Sequence, residues 1–280
     1  MQKVLLASQF AEVKEDLDEK VLHYLKEGQI ETFESFEHFN IIAFDWYDIS
    51  SDSVDTPQMI IYQDAEDLFF FCENQRIRER AAEIADMETK DAPLENQQLL
   101  YRFFVRLLKG DTAHLDALET EITDIEDEML VGVKRHYLER IVSFRKELLR
   151  LKRYYEQLDS IFDELIANDN CLLAADSVRR FTILDARAER YAGDVLNLRE
   201  YVTQMREAYQ SQIDIQQNEL MKVFTVVTVI FLPLTLLVGW YGMNFKMPEL
   251  RWTYGYPVMI GACVALVVWL LFVFKKKKWL

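Results

Sequence analysis

Two stretches of this chain carry no charged side chain, residues 223–243 and residues 254–274, each 21 residues long. About 20 apolar residues are what a helix needs to cross a bilayer core of ~30 Å, so each stretch is long enough to span. Ten residues separate them, which leaves room only for a direct return. The pair therefore predicts a hairpin of membrane helices, with a large body ahead of it and a short tail behind. What the hairpin does, tether or conduct, has to come from its polar residues.

Charge divides the chain at the same place. The net charge of −15 hides a split: from Lys222 onward there are seven basic residues and one acid, Glu249, which leaves 25 basic against 46 acidic residues in 1–221, a net −21. A body this acidic repels nucleic acid and attracts cations, which excludes a nucleic-acid function. At 280 residues the chain has room for one or two soluble domains ahead of the hairpin. Cys72, Cys171 and Cys263 are isolated, with no CxxC pair, a pattern that fits a reducing compartment and suggests neither a disulfide framework nor a zinc knuckle. The first residues, Met1-Gln2-Lys3-Val4-Leu5-Leu6 followed by Glu12 and Glu15, lack the apolar core of a signal peptide, so translocation of the body by a leader is not expected. Lys275–Lys278 follow the second run and Lys222 opens the first. The positive-inside bias then places both termini in the cytoplasm of a cell (inner or plasma) membrane, with the link between the spans facing out.

Along the body, residues 1–95 read as a small α/β domain. Residues 39–49, 59–62 and 68–72 are β-branched and aromatic runs bounded by Asp, Ser and Pro, as strands are, and residues 12–26 and 76–87 read as helices. From about residue 96 the pattern is helical. Residues 99–131 read as one amphipathic run that ends at Gly132 and carries the acids Glu119, Glu121, Asp124, Glu126, Asp127 and Glu128, a solvated face before it is a metal site. Ile141, Phe144, Leu148, Leu151, Tyr155, Leu158, Phe162 and Leu165 then recur at steps of 3 and 4, the period of a helical hairpin or coiled coil. Asn168-Asp169-Asn170 marks the turn. Phe181, Leu184, Ala188, Tyr191, Val195, Leu198, Val202, Met205 and Tyr209 repeat the pattern, and nothing between Ser177 and the first span stops the helix; Gly193 costs it only about 1 kcal/mol. A single helix of about 55–65 residues, roughly 80–100 Å at 1.5 Å per residue, is predicted to run from body into membrane. The expected fold is thus α+β, mostly α: residues 1–95 as the α/β domain, 96–217 as a coiled-coil-like stalk, and 218–280 as the hairpin, with spans near 223–243 and 256–274.

The first span bears the marks of a helix that faces something other than lipid. Asn218, Met221, Thr225, Thr228, Leu232 and Thr235 are spaced 3, 4, 3, 4, 3 and share one stripe. Pro233 leaves the carbonyl of Val229 without its helical donor. The second span, residues 258–274, is aliphatic with Trp269 and has no such stripe. Two helices cannot enclose a water-filled path inside lipid, so conduction requires several copies.

Asn218-x-x-Met221-Lys222, Pro233-Leu234-Thr235 and Tyr241-Gly242-Met243-Asn244-Phe245 are followed by Met247-Pro248-Glu249-Leu250, by Tyr256-Pro257 opening the second span, and by Lys275-Lys276-Lys277-Lys278-Trp279-Leu280. Together they resemble the CorA family of magnesium channels, closely over 218–280 and only in general pattern from about residue 95. The resemblance implies a homopentamer in the bilayer whose first spans line a pore. Gly242, Met243 and Asn244 would form the selectivity ring at its outer mouth. Mg²⁺ dehydrates reluctantly, and a ring of Asn244 carboxamides accepts hydrogen bonds from its waters without stripping them. Carried over by position, Met221 and Leu232 are hydrophobic constrictions, Phe224 narrows the inner gate, and Asn218, Thr228 and Thr235 are polar stations. Glu249 attracts cations to the mouth. Passive, potential-driven passage of Mg²⁺, with Co²⁺ and Ni²⁺ as further cargo, is what the resemblance implies; no cofactor is expected, and Mg²⁺ serves as cargo and regulator. The family closes its gate when intracellular Mg²⁺ binds carboxylates of the cytoplasmic domains, but Ile183 occupies the position of one sensing aspartate. The nearest acids are Asp176 and Asp185, of which Asp185 is the candidate.

Plainer readings stand beside these. Asn244 also reads as a turn residue, although a cap does not need Tyr-Gly-Met before it. The threonine stripe also reads as helix packing. A Zn²⁺ transporter of the same superfamily usually differs between the Gly and the Asn, where this chain has Met243. A non-conducting oligomeric scaffold is the third class. An enzyme is not expected: no nucleophile–base pair, phosphate loop or metal-ligand spacing is present.

Overall fold

The structure, a computed structural model, describes residues 1–13, 17, 21, 32–49, 55–89, 94–131, 136–243, 254–277 and 279. Most of the helix expected over 12–26 lies outside the described residues, as does the 244–253 link. Five strands form one sheet: β1 (Gln2–Leu6), β2 (Phe33–Ser35), β3 (Phe39–Asp45), β4 (Gln58–Asp64) and β5 (Leu68–Cys72), in the order β1-β5-β4-β3-β2. β1 runs parallel to β5 and every other pair is antiparallel. A 3₁₀ helix, Ala7–Val13, follows β1.

Side chains alternate across a strand, and here both faces are covered. One face puts Leu5, Ile41, Ala43, Ile60, Tyr62, Phe69 and Phe71 into a cluster with Val13, Leu17 and Val21. The other meets two helices, α2 (Asn96–Leu107) and α4 (His136–Ala167), through an aromatic stack: Phe70–Phe103 at 4.7 Å, Phe44–Phe104 at 6.0 Å and Phe104–Phe162 at 5.1 Å between ring centroids. Burial on both sides explains why β5 reads Leu-Phe-Phe-Phe-Cys, without the alternation of a half-exposed strand. Between β5 and α2 comes α1 (Gln75–Thr89), which packs on β1, β5 and α2.

The run over 99–131, expected as one helix, is two. Helix α2 ends at Leu107 and α3 spans Asp111–Val131. Between them Gly110 sits at φ +102°, with the Ile49 Cδ1 atom 3.2 Å from where a Cβ would stand. Only glycine takes that backbone conformation freely, so the chain turns there. Helix α5 (Ala175–Tyr241) is 67 residues long and α6 spans Gly255–Lys276. The 3–4 stripes of α4 and α5 are buried throughout, from Ile141 to Leu165 and from Phe181 to Tyr209, and ring contacts Tyr155–Tyr191 (5.3 Å) and Phe162–Phe181 (6.2 Å) join the two helices. At the α4–α5 turn Asn168, at φ 48°, clasps Leu173 with both ends of its amide, Nδ2 donating to the carbonyl and Oδ1 accepting from the N–H.

The chain divides into two compact units, Met1–Arg206 and Glu207–Leu280. The first holds the sheet and α1–α4 with the early turns of α5; the second holds the rest of α5 and α6. Both α5 and α6 include a stretch long and apolar enough to cross a membrane.

Candidate functional site

Within the second unit, α5 is covered on one side and open on the other. The covered residues are Val226, Ile230, Pro233, Leu234 and Leu237. The stripe singled out in the sequence is centred roughly 160° away around the helix at 3.6 residues per turn. Along it Asn218, Met221, Thr228, Leu232 and Thr235 stand open, with Leu232 65% exposed, and only Thr225 is half-covered. Phe224 flanks the stripe and is likewise 65% exposed. Helix α6 is also one-sided: Met259, Cys263, Leu266, Val267, Leu270, Val273 and Phe274, which share one side of the helix, are covered or partly covered.

The threonines on the open side have a definite proton arrangement. Thr225 Oγ1 donates to the Met221 carbonyl at 2.7 Å, Thr228 Oγ1 to Phe224 at 2.8 Å and Thr235 Oγ1 to Phe231 at 2.8 Å. A hydroxyl has one proton and two lone pairs. With the proton committed to the preceding turn, each threonine offers its surroundings acceptor capacity only. Pro233, inside the helix, supplies no N–H to the Val229 carbonyl, a further acceptor freed in the same turns.

An open groove of about 790 Å³ follows this side of the helix, lined by Thr228, Leu232, Thr235, Gly239, Trp240 and Met243 among others. Gly239 falls four residues after Thr235 and continues the same stripe. Having no side chain, Gly239 gives no polar mark in the sequence, although one more step of the spacing reaches it. Helix α5 ends as Gly242 N–H donates to the Val238 carbonyl at 2.8 Å. A Cβ on residue 242 would stand 3.0 Å from that oxygen, so glycine is what lets the chain close against its own helix end. Met243 lies beyond it, 46% exposed. Asn244 and Glu249 lie outside the described residues.

Asp185 belongs to the first unit. Partial burial, then the carboxylates Asp163, Asp159 and Glu189, push its pKa up to about 6. Asp159 is raised by burial first and then by Asp163, Glu189 and Glu156. The α4–α5 surface thus concentrates negative charge at Asp185, although among the described residues no three acidic, His or Cys side chains converge as a metal-binding group.

Residues 9–276 match the family model described as CorA-like Mg²⁺ transporter protein. The chain is 32% identical over 183 residues to the cobalt/magnesium transport protein CorA of Thermotoga maritima, which covers 65% of this chain and 52% of that protein; it spans about half of that relative's length. It is 30% identical over 245 residues to the magnesium transport protein CorA of Mannheimia succiniciproducens, covering 76% of each. Among solved structures, the CorA magnesium transporter of Methanocaldococcus jannaschii superposes with a TM-score of 0.81 at 22% identity, over 98% of this chain and 87% of that one. The α/β body, the long helix and the second apolar helix are therefore one recurring fold, and the chain belongs to the CorA-like Mg²⁺ transporter family.

Proposed function

We propose that this protein is a passive, potential-driven membrane channel for hydrated Mg²⁺, admitting Co²⁺ and Ni²⁺ as well, assembled as a homopentamer with both termini cytoplasmic. The observation that carries the reading is the open stripe of α5, whose threonine oxygens are acceptors with their protons held elsewhere. A hydrated cation presents water protons outward, and such oxygens accept them without removing water from the ion. Copies that bring their open stripes together line a path with Asn218, Thr228 and Thr235 as polar stations. Met221, Phe224 and Leu232 are its apolar constrictions. Gly242, Met243 and Asn244 form the outer ring, where the Asn244 carboxamide meets the ion through its waters, and Glu249 raises the local cation concentration. Asp185 senses intracellular Mg²⁺: a divalent ion beside it offsets the repulsion from Asp159, Asp163 and Glu189 and biases the body toward a closed state.

Mg²⁺ entry into liposomes carrying the purified protein tests this. We expect entry that cobalt(III) hexaammine blocks and that Asn244→Ala reduces by at least tenfold. Well-folded oligomers that pass no Mg²⁺ would move the assignment to the scaffold class, or to Zn²⁺ under a proton gradient. Asp185→Ala is expected to weaken inhibition by internal Mg²⁺ and leave the open-state flux alone; unchanged inhibition removes Asp185 from the sensor.

A further inference from the structure

The turn between β4 and β5 and the start of α2 enclose a polar cavity of about 370 Å³ within the first unit, lined by Gln63, Asp64, Glu66, Glu95, Asn96 and Gln97 among others. Most of this lining is tied to the fold itself. Asp64 Oδ1 accepts the N–H groups of Glu66 and Asp67 at 2.8 and 2.6 Å, and its Oδ2 accepts the Tyr62 hydroxyl at 2.7 Å. Asn96 Oδ1 accepts from Gln2 Nε2 at 3.0 Å, and Gln97 Oε1 from the Ala174 N–H at 2.9 Å. Those bonds hold the walls in place.

Gln63 is the exception. It follows Tyr62 on β4 and so points to the opposite face of the sheet, the one that meets α2 and α4. It is 1% exposed and the one buried residue of the lining, so it forms the floor. Its Oε1 has no hydrogen-bond partner among the described residues. Asn40, opposite Gln63 on β3, is also buried but is satisfied: its Oδ1 accepts from Asn170 Nδ2 at 2.7 Å. Buried acceptors are nearly always paired, because water given up and not replaced is costly. The donor that Gln63 lacks is what an occupant of the cavity can supply.

The rim sets the charge of that occupant. Asp64, Glu66 and Glu95 are acids, and no basic side chain lines the cavity. Glu95 stands at the N-cap of α2 without making a cap bond, and its carboxylate receives a long 3.4 Å contact from Gln97 Nε2. A helix start favours anions, but three carboxylates outweigh the roughly half positive charge there. The occupant is therefore a cation. A metal ion fits poorly: among the described residues no three acidic, His or Cys side chains converge as a metal-binding group, and a hard divalent ion collects carboxylates rather than one neutral carboxamide. An ammonium group fits, since it brings N–H donors and needs only acceptors. Leu172 and Ala65, in the same lining, offer apolar contact to a methylene chain.

We propose that this cavity binds an aliphatic polyamine, with one ammonium group donating to Gln63 Oε1, the methylene chain against Leu172, and a further ammonium group held by Glu66 and Glu95. The site stands apart from the membrane reading, because every residue in it belongs to the first unit.

Titration calorimetry on the full-length protein in detergent tests this, with putrescine as the probe and butylamine and magnesium chloride as comparators. Wild type is expected to bind putrescine about fivefold more tightly than the monoamine, which lacks the second ion pair. Gln63→Leu removes the oxygen and leaves the charge of the body unchanged. It is expected to weaken putrescine about tenfold while melting no lower than wild type, since the acceptor it deletes is unpaired. Glu66→Gln with Glu95→Gln, both at exposed positions, is expected to cost about fivefold. General attraction of polyamines to the acidic body would ignore Gln63→Leu, so wild-type affinity in that variant overturns the proposal. A Gln63→Leu variant that melts well below wild type overturns it too, because the oxygen would then be satisfied within the fold. Unchanged affinity in the glutamine pair, or displacement of putrescine by equimolar Mg²⁺, likewise overturns it, the last by making this a metal site.

Discussion

Asp111 shows what a single residue can hide from the sequence. It opens α3, is 1% exposed, and accepts a hydrogen bond from the Tyr155 hydroxyl at 2.9 Å. Burial outweighs that bond and the Arg187 charge and lifts its pKa to about 6 from 3.8. A folded-state value above the unfolded one means that the folded protein takes up the proton first as pH falls. Stability should therefore rise as pH drops through 6 and level off near 4, with the charged form costing on the order of 2–3 kcal/mol above pH 7. Asp111→Asn removes the ionisation and keeps an acceptor for Tyr155. Chemical denaturation should find the variant more stable than wild type at pH 8, with the gap closing below pH 5. A gap that ignores pH would show that the carboxylate is not the cause. Nothing in the sequence marks this site, because its partner lies 44 residues away. Gly110 was equally silent, since a glycine between two helical patterns of the same period announces no break.

At the scale of elements, periodicity did most of the work. The stripes from Ile141 to Leu165 and from Phe181 to Tyr209 came straight from steps of 3 and 4, because burial on one side of a helix leaves that trace. The strands β3, β4 and β5 were legible as dense apolar runs. Strands β1 and β2 were not: β2 has three residues, and β1 exists by pairing with β5 some 66 positions along the chain, Gln2 opposite Leu68. In α5 beyond residue 222 nearly every residue is apolar, so composition alone does not say which side is covered; the threonines single out one side, which the structure leaves open. Their role is testable at this scale. Thr235→Val keeps the branched shape and removes the oxygen, and we expect Mg²⁺ flux to drop severalfold with helical content unchanged by circular dichroism. Thr235→Ser restores a hydroxyl that reaches the same carbonyl and should recover most of the flux. If valine conducts as well as threonine, the stripe is packing and not path.

For the whole molecule, the division at 206 and 207 makes a prediction of its own. The first unit contains both covered faces of the sheet and the buried stripe of α5 as far as Met205, so residues 1–206 hold a closed core. Expressed alone, that fragment should be soluble and melt in one cooperative transition; an expanded state that binds hydrophobic dyes would show that it depends on the hairpin. The acidic body and basic tail were evident from counting charges, whereas the one-sided exposure of α5 needed coordinates. The pinned threonines carry one more implication for a membrane that stores energy as a proton gradient. Protons hop along chains of groups that can each receive a proton and pass another on by reorienting. Hydroxyls whose hydrogens are held by Met221, Phe224 and Phe231 carbonyls do not reorient freely, so in the path proposed above they would be a poor relay. Protons crossing the proposed path would have to travel by its water alone, with no help from its wall.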